Sequence, residues 1–304
     1  MTTPGQRLRA LLNGPDLVRL PGVYDAVSAA IARQAGAAAV SLSGAAVSAV
    51  DVGLPDLGFV HGTDIATRAR SMQGSLAGIP ILADADTGYG NALQAAHTVR
   101  TYAGAGVAGL HLEDQVAPKR CGHLGGKEVV SLDEAAARVA AAVDAATASG
   151  LVIVARTDAL SLLGRDAVVE RSRAFAEAGA DAVFVEGASL GDLAAVNDAL
   201  VRDRRPLPQM YNRSEAAGPL ESGPRDAELA ALGVRLVIHP VSGLLAAADA
   251  VRRVVTAVVA GEHAAGVPRM EWHDLTDLLG LPALLHDEKS YAVAPRGDSE
   301  EEHA

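Results

Sequence analysis

The chain has 304 residues, 49% of them hydrophobic and only 3% aromatic, enough for a large core built from aliphatic side chains. Its formal net charge of −11 argues against a nucleic-acid or anionic-membrane partner, so an anionic substrate has to meet a locally basic or metal-bearing pocket. A single cysteine excludes an internal disulfide, no run of about 18 apolar residues offers a membrane span, and the N-terminal segment lacks a signal peptide's apolar stretch. The expectation is a soluble cytoplasmic protein.

In chain order, short aliphatic runs recur at residues 17–23, 38–42, 79–83, 108–112, 151–155, 182–185, 207–210 and 236–238. Most are nearly continuous in apolar character, as parallel strands covered on both faces are. Alanine-rich segments with helical spacing lie between them, at 25–34, 92–102, 132–147 and 167–177. Ser131 and Glu134 have the spacing of a capping box that opens the third of these. Gly36, Gly106, Gly179 and Gly233 each stand at a helix exit directly before a strand. Eight strand–helix units without a break in composition predict one α/β domain, a (β/α)8 TIM-type barrel. A doubly wound sheet is the rival, but the first strand runs into Pro21-Gly22-Val23-Tyr24-Asp25 and not into G-x-G-x-x-G.

Residues 242–262 read as a long apolar-faced helix and 271–291 as one or two more, surplus to the eight units. The expected domain spans 1–293, additional C-terminal helices included. A tail at 294–304, rich in Pro, Gly and Glu, is expected to be disordered. Residues 212–226 form a long loop after the seventh strand, read as a mobile element over the site.

Reactive groups of such a barrel lie at the C-terminal ends of its strands. The second run leads into Ser43-Gly44, the third into Asp84 and Asp86, and the fourth into His111, Glu113 and Asp114. The fifth leads into Arg156-Thr157-Asp158, the sixth into Glu186, the seventh into Asn212-Arg213 and the eighth into His239. Burying such groups is unfavourable unless they pair with one another, a metal or a ligand. Asp84 and Asp86, with glycines close behind, are hard oxygen donors that suit Mg²⁺, with Mn²⁺ as the alternative, and Glu113 adds a third contact. The competing reading is a turn with solvated aspartates. Arg156 and Arg213 either clamp a carboxylate or form salt bridges, with Asp158 or Glu186 as partners. His111, His123 and His239 are each either functional or simply satisfied polar residues.

The lone thiol lies in Lys119-Arg120-Cys121-Gly122-His123. A free thiol titrates at about 8.5, and neighbouring positive charge lowers it. Charged and glycine neighbours point to a functional cysteine over a buried structural one, and Cys121 and His123 are too close for a usual zinc pair.

LSGAAVSAVDVGLPDLG (42–58), ADADTGYGN (83–91), GLHLEDQVAPKRCGH (109–123) and VARTDAL (154–160) resemble the isocitrate lyase and phosphoenolpyruvate mutase superfamily, nearest its 2-methylisocitrate lyase subgroup. The resemblance implies a (β/α)8 barrel, usually a homotetramer whose C-terminal helices swap between subunits. It implies Mg²⁺ on Asp84 and Asp86 with Glu113 in its shell, and Ser43, Gly44, Asp56, His111, Gly122, His123, Arg156, Glu186 and Asn212 lining the substrate or metal site. Cys121 matches the thiol of the lyase members, which mutases and decarboxylases generally lack. The implied activity is retro-aldol cleavage of 2-methylisocitrate, or a closely related 2-hydroxy di- or tricarboxylate, to pyruvate and succinate. Cys121 is then the proton donor, and Arg156, Glu113 and His123 complete the catalytic set. The alternatives are an oxaloacetate decarboxylase or a phosphonopyruvate-type enzyme. Joint retention of Asp84, Asp86, Glu113 and Cys121 argues against a non-enzymatic dicarboxylate-binding barrel. The chain departs from the family pattern at Ser41, commonly Tyr; at Ala45-Ala46, frequently glycines; and at Val185, frequently Pro. It also has Arg213-Ser214-Glu215 after Asn212, where an apolar residue and Thr-Glu are typical. Arg213 is thereby expected near the distal end of the substrate.

Overall fold

A computed structural model describes residues 2–122, 124–215 and 223–291. Eight strands, β1 (Val18–Val23), β2 (Val40–Leu42), β3 (Ile81–Asp84), β4 (Gly109–Glu113), β5 (Val152–Thr157), β6 (Ala182–Val185), β7 (Gln209–Asn212) and β8 (Val234–His239), pair in parallel with their sequence neighbours. β8 returns to β1 and closes the barrel. The fold is the TIM barrel that the strand–helix alternation predicts, with helices to spare at the C-terminal end.

The helices are α1 (Pro4–Leu12), α2 (Ala26–Gln34), α3 (Gly44–Val47), α4 (Gly62–Leu76), α5 (Ala92–Gly104), α6 (Leu132–Ala146), α7 (Leu160–Leu163), α8 (Arg165–Glu177), α9 (Leu190–Arg202), α10 (Asp226–Ala231), α11 (Ser242–Val259), α12 (Trp272–Leu278) and α13 (Leu281–Ser290). A π-helical turn, Ser48–Val52, continues α3. Side-chain caps start several of them, as where Asp25 accepts from the Ser28 N–H at 2.7 Å. Ser131 caps α6 through the Glu134 N–H, but Glu134 turns its own carboxylate to Arg138 at 2.6 Å instead of back to the cap. The four glycines at the helix exits all have positive φ, between +79° and +91°, the conformation that stops a helix before a strand.

Strand alternation divides the core in two. Leu42, Ile81, Ala83, Leu110, Ile153, Ala155, Val183 and Val237 face the helices. Leu20, Leu82, Val152, Val154, Ala182, Phe184, Met210, Leu236 and Ile238 fill the barrel interior. Leu8 and Leu12 of α1 join the interior group, and α1 packs so closely that a Cβ on Gly109 would fall 2.6 Å from Leu8 Cδ2. This helix, which no apolar run announces, closes the N-terminal mouth; each leucine so buried contributes about 1.5–3 kcal/mol. The C-terminal end is left for the polar residues.

None of the residues of α11 is buried, and Val251, Val255, Val258 and Val259 form a solvent-facing stripe at helical spacing. Leu284 and Leu285 of α13 and Trp272 of α12 are exposed as well. Among the described residues no helix is long and apolar enough to cross a membrane. The expected tail and residues 216–222 of the expected mobile loop lie outside the described residues.

Candidate active site

The same alternation decides which polar residues enter the barrel. Asp84 follows Leu82 on the inward face, Arg156 follows Val154, Glu186 follows Phe184 and Asn212 follows Met210. They line a cavity of about 120 Å³ together with Ser41, Ser43, Asp56, His111, Cys121 and Gly122. Gly44 stands against its wall: its N–H donates to Asp84 Oδ2 at 3.3 Å, and a Cβ there would fall 2.9 Å from the same oxygen. His123 lies outside the described residues.

Arg213 does not join this group. One residue beyond Asn212, it takes the opposite side of the barrel wall, where its guanidinium pairs with Asp226 at 2.8 Å and donates to the Pro224 carbonyl at 2.7 Å. The expectation that it meets the substrate is corrected by strand parity. Asp114, adjacent to Glu113, also faces outward. It accepts from Thr157 Oγ1 at 2.6 Å, the Asp158 N–H at 3.0 Å and Arg171 at 2.9 Å, tying β4, β5 and α8 together behind the site. His239 is 3.2 Å from Glu215, which also accepts from Ser242.

Charge in and beside the cavity is organised around two cations, Arg156 on its wall and Lys119 next to it. Arg156 makes a two-point contact with Asp158, at 2.9 and 3.2 Å, lies 3.2 Å from Glu113 Oε2 and 3.6 Å from Glu186, and stacks over Phe184. Burial would pull its pKa down, but Asp158, Glu113 and Glu186 hold it well above the usual value. Lys119 buries its ammonium 2.6 Å from Asp56 and 3.0 Å from Asp86. Burial disfavours that charge too, and the surrounding carboxylates outweigh it. Lys119 was expected to act on the neighbouring thiol; its charge is committed to carboxylates instead. Arg120 is exposed, and its backbone is clasped by the Gln115 side chain through bonds of 2.9 Å to its N–H and carbonyl.

Burial pushes Asp86 up to about 7 against the pull of Lys119, and Asp84 adds to the rise. Burial would raise Asp84 as well, but surrounding positive charge and the Asp86 N–H hold it at about 2. Burial takes His111 down to about 4, so it is neutral near pH 7 and the cations acting on Asp84 there are Lys119 and Arg156. Glu113 is carried well above the carboxylate range by burial, which exceeds the pull of Arg156.

These groups bear directly on a divalent metal. Among the described residues no three His, Cys, Asp or Glu side chains converge into a ready cage, so Asp84, Asp86 and Glu113 are not a closed three-ligand set. The donor chemistry nevertheless fits Mg²⁺, which takes one or two carboxylates and keeps several waters. Both oxygens of Glu113 are buried without a hydrogen-bond partner among the described residues, and Asp84 stands at the cavity wall.

The cysteine loop is fastened at its base. Val116 N–H donates to the Glu128 carbonyl at 2.9 Å, and Gln115 bridges Val129. Lys127 reaches back to the Gly122 carbonyl at 2.7 Å and to Asp158 at 3.2 Å. Cys121 is half-buried, and its N–H donates to the Asp56 carbonyl at 3.1 Å. Gly122 touches the floor so closely that a Cβ would fall 2.7 Å from Glu186 Cγ and 2.8 Å from Arg156 Nη2. The thiol is thus brought to the cavity that holds Asp84 and Arg156.

Several participants escaped the sequence reading. Ser41 was noted only as a departure, though its inward parity with Ser43 places it in the cavity. Tyr102 fixes the end of β3 by donating to the Asp84 carbonyl at 2.8 Å, and no local signal announces that. Pro240 and Val241 line the cavity from the turn after β8.

The family model described as phosphoenolpyruvate phosphomutase matches residues 8–259. A 2,3-dimethylmalate lyase of Eubacterium barkeri is 36% identical over 289 residues, covering 94% of this chain and 98% of that protein. A 2-methylisocitrate lyase of Bacillus subtilis is 42% identical over 248 residues, 81% of this chain and 79% of the relative. Among solved structures, an oxaloacetate acetylhydrolase bound to 3,3-difluorooxalacetate superposes with a TM-score of 0.86 at 35% identity, over 97% of this chain and 99% of its own. A phosphonopyruvate hydrolase solved with oxalate and Mg²⁺ gives 0.81 at 27% identity, over 95% and 99%.

Proposed function

The chain belongs to the phosphoenolpyruvate mutase and isocitrate lyase superfamily, and we propose that within it the protein is a cytoplasmic, Mg²⁺-dependent carbon–carbon lyase. Its substrate is 2-methylisocitrate or a closely related 2-hydroxy di- or tricarboxylate, and its products are pyruvate and succinate or their homologues. The observation that carries this reading is the placement of Cys121 on the cavity that also exposes Asp84, His111 and Arg156.

Asp84, with Asp86 and Glu113 behind it, would hold Mg²⁺, which when bound supplies a Lewis acid for the 2-hydroxyacid oxygens. The protein's own groups do the rest. Arg156 is locked by Asp158 and Phe184, so its charge is already oriented where negative charge grows on the product carboxylate. As the 2-hydroxyl loses its proton, the carbinol C–O becomes the C=O of the 2-oxo acid. The electron pair of the adjacent C–C bond passes to the carbon beside the second carboxylate. Cys121 gives its Sγ–H proton to that carbon, and the proton released from the hydroxyl balances the one that restores the thiol.

A homotetramer with exchanged C-terminal helices is part of the proposal. Its support is the apolar stripe of α11, which an isolated chain leaves in water. Light scattering of the purified protein tests it, and a monomer would end it.

The catalytic reading is tested by a substrate panel with Mg²⁺, namely 2-methylisocitrate, isocitrate, 2,3-dimethylmalate and oxaloacetate, with pyruvate and glyoxylate assayed separately. Cleavage by the native protein and its loss in Cys121→Ser is the expected result. Undiminished cleavage by Cys121→Ser would remove the proton donor from the mechanism. Oxaloacetate decarboxylation exceeding cleavage of all the hydroxy acids would favour the second reading, an oxaloacetate decarboxylase or phosphonopyruvate-type enzyme, and the likeness to the phosphonopyruvate hydrolase lends the latter support.

A further inference from the structure

Ser41 occupies an inward position of β2, paired across the sheet with Gly22 on one side and Leu82 on the other. It is 1% exposed, and its Oγ has no hydrogen-bond partner among the described residues. Other buried serines differ. Ser43 Oγ accepts from the Ala46 N–H at 3.3 Å, Ser48 donates to the Leu54 carbonyl at 2.9 Å, and Ser172 donates to the Val168 carbonyl at 2.7 Å. Ser172 uses the carbonyl one turn back in its helix, a partner that a strand residue does not have. A buried hydroxyl without a partner lowers stability by about 1–3 kcal/mol, and alanine would fill the same place without that penalty. The hydroxyl therefore contributes nothing visible to the fold, yet it lies on the cavity wall.

Which wall it lies on gives it meaning. The strands β3 to β6 supply Asp84, His111, Arg156 and Glu186, the charged half of the cavity. The opposite sector, from β8 to β2 and the loop after it, supplies Ile238, Pro240, Val241 and Ala45 with Ser41, Ser43 and Asp56. Ser43 Oγ caps α3 and Asp56 pairs with Lys119, so Ser41 is the one of these three whose side chain has no partner among the described residues. A 2-hydroxy acid bound by its carboxylate and hydroxyl at the charged half directs its remaining substituent toward the apolar sector. A purely alkyl substituent would leave Ser41 Oγ buried and unpaired, whereas one carrying an oxygen would satisfy it.

We propose that Ser41 is a specificity-determining residue whose hydroxyl bonds an oxygen on the substrate's substituent. The site thereby selects 2-hydroxy acids with a carboxyl-bearing side group over those bearing methyl alone. The proposal rests on the lyase reading above. A site built to hydrogen-bond a substrate discriminates strongly against an analogue lacking the partner, because its own polar group is then left unpaired.

The test is Ser41→Ala, read two ways. Without substrate, the variant's Tm is expected to equal or exceed that of the native protein. With Mg²⁺ and the substrate panel, the ratio of kcat/KM for 2-methylisocitrate or isocitrate to that for 2,3-dimethylmalate is expected to fall about tenfold or more, chiefly through KM of the tricarboxylate. Ser41→Thr, which keeps the hydroxyl, should retain more of the ratio than alanine does. A Tm lowered by several degrees would mean that the hydroxyl is satisfied within the fold, and would overturn the proposal whatever the turnover. So would an equal loss on all substrates. If the native protein cleaves none of the panel, the lyase reading fails, and the Tm comparison still decides whether the hydroxyl serves the fold.

Discussion

Asn212 and Arg213 leave the end of β7 on opposite sides of the barrel wall. The Asn212 amide donates to both oxygens of Glu186 at 3.3 Å within the cavity, while Arg213 pairs with Asp226 at 2.8 Å behind it. The two residues should therefore fail differently. Arg213→Met is expected to keep kcat/KM within about twofold and to lower stability by about 1 kcal/mol, the partly exposed ion pair and its bond to Pro224 being modest contributors. Asn212→Ala should lose roughly ten- to a hundredfold in kcat/KM with a smaller change in Tm, because Glu186 loses the group that orients it. Steady-state kinetics beside thermal melts checks both, and the opposite pattern would restore Arg213 to the site.

The same pair shows how far the sequence reaches. The barrel was legible because its signal is local and repeated, in aliphatic runs, alanine-rich helices and a glycine before each of four strands. The inward polar residues were legible for the same reason, since Asp84, Arg156, Glu186 and Asn212 each end an apolar run. Counting by nearness to the strand end, without regard to parity, put Arg213 in the site, where alternation from Met210 sends it outward. Lys119 illustrates a different limit. Its partners Asp56 and Asp86 come from other loops, and nothing within its own segment tells an ammonium aimed at carboxylates from one aimed at a thiol. The exposed stripe of α11 shows yet another limit, since apolar residues at helical spacing look the same in sequence whether their face packs on the chain's own core or is left exposed by it.

Gly122 is where the cysteine loop meets the cavity floor. A methyl group there would overlap Glu186 Cγ and Arg156 Nη2, neither of which has room to retreat, since Arg156 is tied to Asp158 and Glu186 to Asn212. The loop can lift more easily than the floor can yield, so Gly122→Ala should displace Cys121 without unfolding the barrel. A fall in kcat of about a hundredfold or more with a Tm within a few degrees of native is expected, misplacement of about 1 Å being enough for such a loss. A variant with native kcat would show that the loop does not need this seat during turnover.

Lys119 neutralises the carboxylates in the protein without metal. In Lys119→Met, Asp56 and Asp86 lose that partner inside the protein, and breaking a buried pair in this way removes about 3–5 kcal/mol. The metal-free variant should melt well below the native protein. Mg²⁺ offers the same carboxylates a replacement cation, so the rise in Tm on adding Mg²⁺ should be larger in the variant than in the native chain. Thermal melts with and without Mg²⁺, with Ca²⁺ as a comparison ion, measure this directly. Equal shifts in both proteins would mean that Mg²⁺ does not share the carboxylates with Lys119.

Acid should release the metal at an unusually high pH. Burial, reinforced by Asp84, holds Asp86 at about 7 against the pull of Lys119, so the metal-free protein carries a proton there over much of the range in which an ordinary aspartate is ionised. Glu113 is displaced in the same direction. A divalent cation binds the carboxylate form, so binding has to expel the proton. Above the Asp86 value that residue has no proton to expel; below it, affinity falls by about tenfold per pH unit for each proton displaced. The sign follows from the raised value: a depressed carboxylate would move the whole fall below about pH 4. Titration calorimetry of Mg²⁺ at pH 6, 7 and 8, in buffers of differing ionisation enthalpy, should show weakening affinity and rising proton release toward pH 6. Constant affinity with no proton release across that range would take Asp86 out of the metal's surroundings.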